Sequence, residues 1–72
     1  MEIGTIRWFN RTIGAGFIRT DDGKNVLFLK SVVRESDPSL IRAGARVCVD
    51  ALEGLDGLTA TTVRAIGNDR ME

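Results

Sequence analysis

Two glycine-bearing turns constrain this chain more than any other feature of it. Asp21-Asp22-Gly23-Lys24 and Gly54-Leu55-Asp56-Gly57 each separate runs rich in β-branched and apolar residues. Glycine supplies the positive φ that a tight hairpin turn requires, so each predicts a β-hairpin. Strands are expected at about 3–10, 14–20, 25–30, 45–52 and 59–66. Thr59, Thr61, Thr62, Val63 and Ile66 favour the last of them. Between the third and fourth strands lies a long connection, 31–44, containing "SDPSLIRAG". There Asp37 is placed to cap a single helical turn begun by Pro38 and ended at Gly44. No other helical turn is expected.

Three strands, a long excursion and two more strands make the pattern of an all-β, five-stranded antiparallel Greek-key barrel of the OB type. Side chains alternate along a strand, so one parity fills the barrel and the other faces out. With Ile18, Val26 and Phe28 inside, Ala15, Phe17, Arg19, Leu27 and Leu29 face outward. In the first strand Ile6 and Trp8 share a parity, and only a bulge would send them to opposite faces. Periodicity leaves open whether Trp8 belongs to the core or the surface.

A chain of 72 residues leaves room for one small domain, read as residues 1–67 followed by a polar tail at 68–72. At 43% apolar and 28% charged residues it is composed like a folded protein. No apolar run approaches the ~20 residues of a membrane span, and Met1-Glu2-Ile3 does not open a signal peptide. The single cysteine, Cys48, favours a reducing compartment, so a cytoplasmic location is expected.

Ten basic and ten acidic residues cancel overall, but residues 1–30 carry five basic groups against three acidic. Residues 31–72 carry five against seven. With no histidine, metal sites and catalytic triads have little to build on. Gly14-Ala15-Gly16 begins like a dinucleotide-binding loop, but no crossover helix follows it. Asp21 and Asp22 read as turn residues rather than a catalytic pair. The chain reads as a non-enzyme without metal or cofactor.

"GTIRWFN" (4–10), "GAGFI" (14–18), "DDG" (21–23), "VLFLKS" (26–31), Gly44, Val47 and "EGLDGLTATTV" (53–63) follow in the order and spacing of the bacterial cold-shock domain. Nearly the whole chain resembles that family. The resemblance implies a five-stranded barrel that binds single-stranded RNA or DNA through two strand motifs whose outward rings stack on bases. In the family those motifs read Lys-Gly-Phe-Gly-Phe-Ile and Val-Phe-Val-His-Phe. This chain keeps Trp8, Phe9 and Phe17, and departs at Ile13, Ala15, Leu27, Leu29 and Lys30.

The site residues expected on this footing are Trp8, Phe17 and Phe9 for stacking, flanked by Leu27 and Leu29. Arg7, Arg11, Arg19 and Lys30 are placed to neutralise phosphates. The resemblance further implies RNA chaperoning or regulation of transcription or translation, here with affinity lowered by the missing rings. The alternative reading is a protein-interaction or homodimerisation module, in which Trp8, Ile13, Phe17, Leu27 and Leu29 form an exposed apolar patch.

Overall fold

Thr20 shows how the first hairpin closes. Its side chain is buried beneath the turn, where its hydroxyl accepts the Lys24 N–H at 2.9 Å and donates to the Asp22 carboxylate. Its carbonyl accepts the N–H of Gly23 at 2.9 Å, and Gly23 adopts φ 93°, a conformation that any other residue would hold under strain. The predicted turn is thus built by side-chain chemistry as well as by glycine.

The computed structural model describes residues 1–34 and 38–66. The expected Asp37 cap and the tail at 68–72 lie outside the described residues. All five expected strands are present: β1 (Glu2–Asn10), β2 (Ala15–Thr20), β3 (Asn25–Leu29), β4 (Arg46–Gly54) and β5 (Gly57–Ala65). They close into a barrel in the order β1-β2-β3-β5-β4. Four pairings are antiparallel, and the short β3–β5 contact, Val26 with Leu58 and Leu27 with Thr59, is parallel. The last hairpin is tighter than expected: β4 and β5 stay paired up to Gly54 and Gly57, leaving only Leu55 and Asp56 in the turn.

The helical content departs from expectation. Two short 3-10 turns are present, Lys30–Val32 and Pro38–Leu40, where only one was expected. Strand β3 ends at Leu29, one residue earlier than anticipated. The Lys30 N–H still reaches the Gly14 carbonyl at 2.8 Å, but β2 has no earlier residue to offer a ladder. From there the backbone satisfies itself locally, with the Val33 N–H donating to the Lys30 carbonyl at 3.1 Å. Gly44 serves β1 rather than the Pro38 turn. At φ 91° its N–H donates to the Ile6 carbonyl at 2.7 Å, while the Ile6 N–H donates to Ala45 at 2.9 Å.

Ile6, Ile18, Val26, Phe28, Ile41, Val47, Val49, Ala60 and Val63 fill the barrel. The inward parity expected for Ile18, Val26 and Phe28 is therefore observed. Gly16 shares their side of β2 for a steric reason. A Cβ there would lie 2.8 Å from two ring carbons of Phe28 and closer still to the Trp8 carbonyl oxygen.

Candidate nucleic-acid interface

One extra residue in β1 builds the outer face. Ile6 pairs with Ile18 and Trp8 with Phe17, so two steps along β1 match one step along β2, and Arg7 occupies a bulge. Ile6 is therefore buried at 1% exposure, whereas Trp8, of the same parity, is 44% exposed. The question that periodicity left open is decided by the bulge, and it places Trp8 outside.

Trp8 and Phe17 lie side by side with ring centroids 6.3 Å apart and planes tilted by 40°. Phe17 pairs in turn with Leu27, and Leu27 with Thr59, so one row of side chains crosses four strands. The next row toward the β1–β2 loop joins Asn10, Ala15 and Leu29. On the other side Arg19 stands between Thr5 and Asn25. Ala15, Phe17, Arg19, Leu27 and Leu29 all face outward as expected, with Phe17 and Leu29 each 46% exposed.

Phe9 is not part of this face. After the bulge it pairs with Gly16 on the inward parity and stacks on Phe28, centroids 5.5 Å apart and planes within 16°. It packs against the core as a partly buried floor beneath the barrel end. The rings exposed on this face are thus Trp8 and Phe17, flanked by Leu27 and Leu29.

Four cations surround it. Arg7 at the bulge, Arg11 in the β1–β2 loop, Arg19 on β2 and Lys30 after β3 are all exposed. The β1–β2 loop is ordered by Asn10, whose side-chain oxygen accepts the Ile13 N–H at 3.0 Å and whose carbonyl accepts Gly14 at 2.8 Å. The Gly14–Lys30 backbone bond then holds Lys30 next to that loop. Ile13, 67% exposed, extends the apolar surface at the same end.

Ion pairing is concentrated at the opposite end. Arg46 grips both carboxylate oxygens of Asp21 at 2.8 Å and donates to the Thr5 hydroxyl at 3.0 Å. That hydrogen bond holds the Asp21 carboxyl below the usual aspartate range and raises Arg46. Hydrogen bonding from Thr20 lowers Asp22 in the same sense, and the Asp22 carboxylate raises Lys24.

An open groove continues the face past Phe17, lined by Lys24, Asn25, Leu27, Asp56, Gly57, Leu58 and Thr59. Reading the sequence alone did not bring this group together. Its parts meet because β5 runs beside β3, a neighbour relation that no hairpin turn announces. The Greek-key topology itself was the available signal. Cys48 sits half-buried on β4 between Ile3 and Arg64, away from the face. Among the described residues no three histidine, cysteine, aspartate or glutamate side chains gather as a metal site, and no helix is long and apolar enough to cross a membrane.

No family model matches the chain. Individual proteins do. The major cold shock protein of Streptococcus pyogenes serotype M6 is 35% identical over 63 residues, covering 88% of this chain and 94% of that protein. Cold shock protein CspC of Bacillus subtilis is 33% identical over 64 residues, covering 89% and 97%. Cold shock-like protein CspA of Vibrio cholerae is 38% identical over 65 residues, covering 88% and 91%. The chain belongs to the cold shock protein family. Identity of this order over almost the full length of each relative accords with the closed five-stranded barrel. Three of the residues that the sequence motifs singled out, Ala15, Leu27 and Leu29, stand together on the outward face beside Phe17.

Proposed function

We propose that this cold shock protein binds single-stranded RNA or DNA across the outer face of β1, β2 and β3. The observation that carries the reading is the exposed Trp8–Phe17 pair within a rim of Arg7, Arg11, Arg19 and Lys30. Flat rings accept any base by stacking, and cations around them neutralise the phosphates that pass between bases. The family relation supports the same reading. No catalytic role is assigned to any residue; the chain acts by binding, as an RNA chaperone or a regulator of transcription or translation.

Affinity is lowered by what stands at 15, 27 and 29. A base stacked on an aromatic ring is worth about 1–3 kcal/mol, and alanine or leucine recovers only part of it through apolar contact. The expected dissociation constant is on the order of micromolar or weaker at physiological salt.

A titration of Trp8 fluorescence with oligo-dT and oligo-U tests this. Quenching is expected with both. With three or four phosphates neutralised, the salt slope for a single strand is about −2 to −3, so affinity falls roughly twenty- to fiftyfold between 50 and 200 mM salt. Unchanged Trp8 emission and unchanged NMR shifts of β2 and β3 at saturating oligonucleotide would reject the reading.

A further inference from the structure

The groove past Phe17 carries hydrogen-bonding groups that the exposed rings and the cationic rim do not use. It encloses about 620 Å³, and Phe17, Leu27 and Leu58 give it apolar walls. Asn25, at the start of β3, and Asp56, in the β4–β5 turn, also line it, and both are exposed. Gly57, at φ 111°, closes that two-residue turn and so holds Asp56 at the groove. Among the described residues, neither the Asn25 nor the Asp56 side chain has a hydrogen bond or ion pair of its own. Lys24 is a third polar lining residue, but its ammonium group lies 3.4 Å from Asp22 and 3.6 Å from Glu2. Its charge is already shared by two carboxylates. Arg19, the register partner of Asn25 on β2, brings the cationic rim to this side.

A carboxylate repels phosphate, so the part of a single strand that suits Asp56 is a base edge rather than the backbone. Ionised aspartate can only accept hydrogen bonds, through two oxygens. Unpaired bases expose their Watson–Crick edges, and among these only guanine offers two adjacent donors, N1–H and the 2-amino group. Thymine and uracil set their one donor, N3–H, between two carbonyl oxygens. Cytosine and adenine set an amino group beside a bare ring nitrogen. Each of these four turns an acceptor toward one carboxylate oxygen. Asn25 carries both a donor and an acceptor and adapts to any edge, so the choice of base falls to Asp56.

On the single-strand reading above, we propose that Asp56 is the specificity-determining residue of this face and selects guanine in the groove. The base lies against the apolar walls, and the Asp56 carboxylate accepts from its N1–H and 2-amino group. A matched pair of hydrogen bonds discriminates between bases by about five- to a hundredfold. In a groove open to water the lower figure is expected. The preference concerns one base of the strand; Trp8 and Phe17 remain indifferent to the bases that stack on them.

Trp8 fluorescence titrations of the full chain with two oligo-dT strands, one carrying a single central guanine and the other a single central hypoxanthine, test the assignment. Hypoxanthine stacks as a purine and keeps O6 and N1–H, but it lacks the 2-amino group. The parent should bind the guanine strand about fivefold more tightly, and Asp56→Asn should bring the two strands to within about twofold. Equal affinity of the parent for both strands overturns the proposal without need of any variant. So does a guanine preference that survives in folded Asp56→Asn protein. Quenching by oligo-dT with no preference for guanine removes this proposal and leaves single-strand binding standing. No quenching by any of these oligonucleotides rejects both.

Discussion

Strands β2 and β3 present two faces made of similar residues with opposite fates. Inside, Ile18, Val26 and Phe28 are fully buried; outside, one residue along, Phe17 and Leu29 stay nearly half exposed. The two phenylalanines, 17 on β2 and 28 on β3, fall on opposite parities of the pleat. One contributes its whole surface to the hydrophobic effect, and the other leaves a ring available to a ligand. An apolar residue in a small barrel thus acquires its role from the side of the sheet on which it falls.

The largest expected effect breaks the inner face. Phe28→Ala removes a fully buried ring and should cost about 3–5 kcal/mol. A domain of this size holds only roughly 4–11 kcal/mol in all, so the urea midpoint should fall by about a quarter or more. Phe17→Ala sharpens the contrast from the other side. Its stability should change by no more than about 0.5 kcal/mol, while single-strand affinity falls by about 1–3 kcal/mol. Paired urea and fluorescence titrations of the two variants separate the faces. Equal loss of stability in both would erase the distinction.

Restoring the rings comes next. Ala15→Phe with Leu27→Phe and Leu29→His adds stacking surface to the outer face alone. One regained stack is enough for a tenfold tighter oligonucleotide complex. Because these side chains point away from the core, the thermal midpoint should move little. No gain in affinity by fluorescence titration would mean that the outer face is not a stacking platform.

The smallest effect concerns the exposed turn, where charge does the work that burial does inside. Asp21 and Asp22 titrate below their ordinary value because Arg46 and Thr20 hydrogen-bond their ionised forms. A depressed carboxyl stabilises the fold above its unfolded pKa of about 3.9, and that stability is lost as pH falls through the folded value. Lys24, raised by Asp22, contributes below about pH 10.4 and loses its contribution as pH rises through its own higher value. Urea midpoints should therefore stay level in the neutral range and decline below about pH 4. Arg46→Ala should flatten the part of the acid decline that belongs to Asp21. Asp21 and Arg46 are both exposed to solvent, so the change should be smaller than that from any core truncation.

Strand number, hairpin turns and the faces of β2 and β3 were legible in the sequence, because each rests on local rules. Glycine at a turn and alternation along a strand need no knowledge of distant residues. The same rules placed Phe17, Leu27, Leu29 and Arg19 together outside and Phe28 inside. The Trp8-Phe9 order in β1 was not legible. A bulge inserts one residue without changing the residue types around it, so counting by twos cannot detect it. It moved Trp8 onto the outer face and Phe9 beneath the barrel.

What the sequence determined by itself, then, is a barrel of five strands with an outward row at Phe17 and Leu27, since propensity and parity act between neighbours in the chain. What only the tertiary structure decided is which distant groups border that row. Closure through the parallel β3–β5 contact set Thr59 beside Leu27 and brought Asp56 into the groove beside Phe17. The Gly14–Lys30 bond likewise held Lys30 beside the β1–β2 loop. These placements follow from where strands far apart in sequence meet when the barrel closes, and backbone pairing across such distances leaves no periodic mark on the chain.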